Sequence, residues 1–95
     1  MKSSGQRHRI DFNEILYVES IKDYVNIRTE NEEFIVLDTL KSMEIQLSER
    51  FVRIHKFFIV NLDKIKSIGA KKVNFPGYEI PIGESYRAGL LDRLK

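Results

Sequence analysis

Phe51-Val52-Arg53-Ile54-His55-Lys56-Phe57-Phe58-Ile59-Val60-Asn61 decides how the rest of this chain folds. Alternation with a period of two, the pattern of a strand, sets Val52, Ile54, Lys56, Phe58 and Val60 on one side and Phe51, Arg53, His55, Phe57 and Ile59 on the other. Neither side is uniformly apolar. One straight strand would bury Lys56 or Arg53 among aromatic rings, which is costly unless the charge is paired or reaches water. The pattern therefore predicts a break near residues 55–57. One strand enters, a short exposed turn carries Arg53, His55 and Lys56, and a second, buried strand begins at Phe58.

Ninety-five residues give one domain whose core hides roughly 60 to 65% of the surface of the unfolded chain. Hydrophobic residues at 42% and charged residues at 32% place it among ordinary globular domains rather than disordered chains. With no cysteine, neither a disulfide framework nor a thiolate metal site is available, and the composition suits a reducing compartment. No apolar run approaches the roughly 18 residues of a membrane span, and the opening Met-Lys-Ser-Ser-Gly-Gln lacks the apolar centre of a signal peptide. A cytoplasmic location without membrane attachment is expected. The net charge of +2 hides an asymmetry: residues 1–50 hold seven basic and ten acidic side chains, residues 51–95 nine and four. A basic second half can face phosphates, and it can equally meet an acidic protein partner.

Residues 1–9 are polar and read as a linker or tag remnant, with His8 carrying no chemistry; the domain runs over 10–95. A brief turn over 11–14 leads into a strand over 15–19. Tyr24 to Thr29 alternates as a half-exposed strand should, and the two pair as a hairpin with its tip at 21–23, where Lys22 and Asp23 sit beside Tyr24. Glu30-Asn31-Glu32-Glu33 is an acidic turn, unfriendly to phosphate, before a strand over 34–37. Asp38 or Thr39 can cap the best helix in the sequence, with Leu40, Met43 and Leu47 on one face. Lys41, Ser42, Glu44 and Gln46 on its outer side form no basic stripe, so a helix-turn-helix is not expected.

Beyond Asn61, which with Asp63 can start a single turn over 62–64, a strand returns over 65–68 and Gly69 to Lys72 makes a basic turn. Val73 to Phe75 and Tyr78 to Ile82 pair across Pro76-Gly77, suited to a type II turn. Ser85 is placed to cap a closing helix over 86–94, with Leu90, Leu91 and Leu94 as its apolar stripe and Arg87 reinforcing an anion-binding N-terminus. An enzyme finds little support: there are two histidines, no Gly-rich phosphate loop, no His-x-x-x-His and no Gly-x-Ser-x-Gly elbow. Neither a metal nor a cofactor is expected.

Arg53, His55, Lys56, Phe58, Val60, Asn61 and Ile65 resemble the signature of the LytTR family of bacterial DNA-binding domains. The resemblance extends through Tyr17-x-Glu19, Asp23-Tyr24-Val25, Thr39-Leu40 and Pro81-Ile82-Gly83-x-Ser85-Tyr86-Arg87, from about Ile10 to Leu94. It implies a mainly β domain, a small multi-stranded antiparallel sheet or sandwich with one short internal helix and a C-terminal helix. It also implies sequence-specific binding of double-stranded DNA at promoter repeats, through loops in successive major grooves that bend the duplex. Most such domains are the output of two-component response regulators, so an N-terminal receiver domain is an expected partner in the full-length protein. The lone domain, without a long heptad, is expected to be a monomer. Carried over by position, the DNA-facing places are Lys22, Asp23 and Tyr24; Lys56 after His55, with Arg53 beside them; and Ser85 to Arg87. Read from the residues alone, Arg53 is equally a strand-edge arginine paired with a carboxylate, and His55, between Ile54 and Phe57, reads as a partly buried, structural imidazole. Phe57 departs from the family, since a small polar residue is common there. The alternative is a protein-interaction module whose basic half binds an acidic partner.

Overall fold

A computed structural model describes Lys2–Ser3, Gln6–Arg7 and residues 10–94. The strands are β1 (Lys2–Ser3), β2 (Gln6–Arg7), β3 (Ile15–Ile21), β4 (Tyr24–Thr29), β5 (Glu33–Leu37), β6 (Phe51–His55), β7 (Phe58–Asn61), β8 (Ser67–Ile68), β9 (Lys72–Phe75) and β10 (Tyr78–Pro81). Two helices, α1 (Leu40–Gln46) and α2 (Glu84–Arg93), and two single 3-10 turns at Phe12–Glu14 and Leu62–Lys64 complete the described elements. Of the expected linker over 1–9, β1 and β2 pair antiparallel. The rest, His8 included, lies outside the described residues.

The main sheet is antiparallel, in the order β5-β4-β3-β7-β6, and a second antiparallel sheet runs β10-β9-β8. Both faces of the main sheet are covered, which explains why both sides of the 51–61 stretch carry apolar residues. α1 closes one face, where Leu40, Met43 and Leu47 pack with Val18, Val25, Ile27, Val36, Phe51 and Ile59. On the other face the small sheet and Leu90 of α2 pack with Leu16, Tyr17, Ile54 and Val60. A bulge in β3 between Ile15 and Tyr17 breaks the alternation, so that Leu16 and Tyr17 both join the second cluster while Ile15 and Val18 join the first. The Tyr17 ring lies 6.1 Å from Phe58, 6.2 Å from Phe75 and 5.9 Å from Tyr78, tying the two sheets together.

Thr39 caps α1 by accepting from the Ser42 amide at 3.0 Å. Asn61 is buried, donates to the Ile15 carbonyl at 2.8 Å and accepts from the Asp63 amide at 3.0 Å, so one side chain joins β7 to β3 and starts the turn after it. Gly77, with φ of 85°, takes the third position of the β9–β10 turn, where a type II turn requires a positive φ. One expectation fails in α2. Leu90 is buried, but Leu91 and Leu94 are 41% and 42% exposed, so of the three only Leu90 packs into the core.

Candidate nucleic-acid interface

The β3–β4 turn is Lys22-Asp23, tighter than the three-residue tip expected, because Ile21 pairs directly with Tyr24. Lys22 has φ of 53°. A positive φ at the first of two central residues is the sign pattern of a type II′ hairpin turn, where glycine is the usual occupant. Lys22, Asp23 and Tyr24 are all exposed.

The β6–β7 turn is Lys56-Phe57; Arg53 and His55 belong to β6 rather than to the turn, as had been expected of them. A register shift between Arg53 and His55 turns the strand end and lets both residues serve the turn from below. Arg53 donates through Nε to the His55 carbonyl at 3.0 Å and through Nη2 to the Lys56 carbonyl at 2.7 Å. Its Nη1 faces the Glu44 carboxylate of α1 at 3.3 Å. All three nitrogens of the guanidinium are therefore engaged within the chain, and Arg53 fixes the shape of the turn. His55 accepts the Phe57 amide at Nδ1, 3.1 Å away, which leaves Nε2 as the donor of the neutral ring. Half-buried, the imidazole lies 5.7 Å from the Phe57 ring and 5.6 Å from the Phe58 ring. Lys56 is exposed.

At the third cluster the structure corrects the capping expectation. α2 starts at Glu84, its N-cap is Gly83, and no side chain caps it, so Ser85 lies exposed within the first turn. The cause is close approach. A Cβ on Gly83 would meet the Tyr86 ring at 3.0 Å and the His55 Cα at 3.6 Å, and the Tyr86 amide donates to the Gly83 carbonyl at 2.9 Å. Arg87, half-buried, donates through Nη1 to the carbonyls of Gly69 and Ala70, which holds the basic 69–72 loop against α2.

Three backbone hydrogen bonds gather these segments. The Ser20 amide donates to the Phe57 carbonyl at 2.8 Å, joining the hairpin tip to the Lys56 turn. The Gly83 amide donates to the Ile54 carbonyl at 2.7 Å, joining the start of α2 to the same turn, and the Ile82 amide donates to the Lys71 carbonyl at 2.8 Å, joining the basic loop. Lys22, Lys56, Arg87 and Lys71 thus share one rim, interrupted by Asp23 and Glu84. The acidic 30–33 turn lies at the opposite end of β4.

A family model for the LytTr DNA-binding domain matches residues 5–95. This chain belongs to the LytTR family of DNA-binding domains. It is 30% identical over 84 residues to the sensory transduction protein LytT of Bacillus subtilis (strain 168), a match that covers 81% of the chain and 35% of that protein. Among solved structures it is similar to a Bacillus cereus domain described as the LytTr DNA-binding domain of a methyl-accepting/DNA response regulator. The TM-score there is 0.86 at 22% identity, with 98% of this chain and 92% of the other covered. The fold expected from the sequence, mainly β with a short internal helix and a closing helix, is therefore the LytTR fold.

Two rim residues of this LytTR domain were absent from the sequence-derived candidates. Lys71 could have been found from the basic turn that holds it, but its neighbour across space, Arg87, is sixteen residues away in the chain. Phe57 stood out in the sequence only as a departure from the family pattern. In the structure it is 47% exposed at the apex of the turn. Among the described residues no group of three or more His, Cys, Asp or Glu could hold a metal ion, and no helix is long and apolar enough to cross a membrane.

Proposed function

We propose that this LytTR domain is the output domain of a transcriptional response regulator, binding double-stranded DNA in a sequence-specific manner through the rim formed by residues 20–24, 54–57, 69–72 and 83–87. The observation that carries this reading is the run of backbone hydrogen bonds from Ser20 to Phe57, Ile54 to Gly83 and Ile82 to Lys71, which puts four loops with cations at one end of a rigid sheet. Neighbouring strands lie about 4.8 Å apart. With β3 and β7 adjacent in the sheet, the hairpin tip and the Lys56 turn are roughly 10 Å apart, within a major groove about 12 Å wide. The 69–72 loop, held against α2 by Arg87, would extend the rim toward a second groove.

Lys56 and the Nε2 proton of His55 are the donors suited to a guanine edge or a phosphate, while Lys22 and Lys71 suit phosphates. With no helix that carries a basic stripe suited to a groove, base contacts are few and part of the specificity comes from bending, at a cost of roughly 1 to 6 kcal/mol for a 40 to 90° bend over a site of 20 to 30 base pairs. A receiver domain N-terminal to this one, absent from a chain that matches 35% of its LytT relative, would supply the regulation, and the free domain would be a monomer that pairs on adjacent promoter repeats.

Selection from a random-sequence duplex pool, followed by fluorescence anisotropy on the enriched duplex, tests this. Enrichment of a repeated motif is expected, with Lys56→Ala weakening binding by about 1 to 3 kcal/mol and Lys41→Ala, on the outer side of α1, leaving it unchanged. If no motif is enriched and the domain instead captures acidic proteins, the interaction-module reading replaces this one. Equal binding by the two variants would remove the Lys56 turn from the interface.

A further inference from the structure

Phe57 is an aromatic side chain at the apex of a two-residue turn, 47% exposed, in the middle of a polar and basic rim. An apolar ring in that position loses free energy to water, and the core gains little from it, since Phe58, its neighbour, is the residue that packs between the sheets. The fold nevertheless holds it in place. Its amide donates to His55 Nδ1 at 3.1 Å, its carbonyl accepts from the Ser20 amide at 2.8 Å, and the carbonyls of the two preceding residues are clamped by Arg53 at 3.0 and 2.7 Å. The His55 ring lies at 5.7 Å on one side and Lys56 Nζ lies 5.7 Å from the centre of the Phe57 ring.

The ring is thus presented rigidly, beside a cation that can fix it against a phosphate. On the major-groove floor the C5-methyl of thymine is the bulkiest apolar group, and phenylalanine is one of the side chains that recognise it. We propose that Phe57 is a specificity-determining residue of the DNA interface, reading a thymine through contact of its ring with the 5-methyl group. This rests on the DNA-binding reading above and adds a base and an atom to it. Arg53, each of whose three guanidinium nitrogens has a partner within the protein, is the positioning residue that aims the ring.

The test replaces each thymine of the selected duplex in turn by uracil, which removes the methyl and leaves the hydrogen-bonding edge intact. At one position, or its symmetry-related copy, uracil is expected to weaken binding of the unaltered domain about fourfold, the value of one buried methyl. Phe57→Ser, whose side chain cannot fill the contact, is expected to bind the thymine and uracil duplexes equally. Because the replacement is made in the DNA, the result for the unaltered domain does not depend on how the variant folds. If the duplex binds in a Lys56-dependent manner but no uracil position weakens it, the thymine contact is wrong and the DNA-binding reading stands. Should some position be sensitive to the same degree in Phe57→Ser as in the unaltered domain, another residue reads the methyl. Failure to enrich any duplex overturns both.

Discussion

Lys22 holds a conformation that glycine would hold at less cost. An L-residue with a left-handed backbone is disfavoured by roughly 1 to 2 kcal/mol, and glycine gives back part of that advantage through the entropy of the unfolded chain. Retaining a lysine at φ of 53° is explicable if its charge is needed at that point of the rim. Lys22→Gly is therefore expected to raise the unfolding free energy by up to about 1 kcal/mol in urea titrations while weakening DNA binding. A variant that gains stability and binds DNA as well as the unaltered domain would assign Lys22 to the turn alone. Arg53 illustrates the opposite limit of residue-level reading. The sequence leaves it open between a DNA-facing cation and a strand-edge arginine paired with a carboxylate, and Glu44 and the two turn carbonyls, at 3.3, 3.0 and 2.7 Å, engage it inside the protein. Glu44 comes from another element, so residues 51–61 alone could not say which carboxylate pairs with it.

Elements were legible where a local signal closes on itself. Thr39 before an apolar i, i+3, i+7 series fixed α1, Pro76-Gly77 fixed the β9–β10 turn, and the misplaced polarity of residues 53–57 fixed the break between β6 and β7. The start of α2 lies two residues earlier than the sequence places it, because the deciding contact is non-local: Gly83 must pass the His55 Cα, and Ser85 does not then serve as cap. That the clusters share one rim was legible only through the family resemblance and not from the residues themselves, since its members meet only through the order β5-β4-β3-β7-β6 and the attachment of the small sheet. At α1 the cap region also sets a pH dependence. Burial works to raise the Asp38 carboxyl, but hydrogen bonds from Ser42, from the Thr39 amide at 2.8 Å and from Gln46 at 3.2 Å outweigh it, and the carboxyl sits below its ordinary 3.8. A carboxyl with a lowered folded value contributes stability above its unfolded value and loses that contribution as the pH falls through the folded one. Asp38→Asn should thus be less stable than the unaltered domain at neutral pH, with the gap closing progressively below pH 3.8. A gap that stays constant into acid would show that the carboxylate charge plays no part in holding α1.

At the scale of the whole domain, a net charge of only +2 does not limit DNA affinity, because the fold separates the charges that matter. The acidic turn after β4 and the rim before it are divided by the six residues of that strand, roughly 20 Å of extended chain. That exceeds twice the Debye length of about 8 Å at physiological salt, so Glu30 and Glu32 scarcely weaken the field at the rim. Binding should then follow the charges of the rim itself. Each one that displaces a counterion from a phosphate contributes about 0.9 to the slope of log affinity against log salt concentration. Single replacements of Lys22 and Lys71 by alanine are each expected to lower that slope by about 0.9, and together by about 1.8, at unchanged sequence preference. Arg53→Ala should weaken binding by letting the turn relax but leave the slope where it was, since its guanidinium neutralises Glu44 rather than a phosphate. Glu32→Gln at the far end should change neither quantity. Anisotropy titrations between roughly 50 and 200 mM salt resolve these slopes. A slope that drops on Arg53→Ala and not on Lys22→Ala would move the DNA from this rim to the side of the sheet where α1 lies.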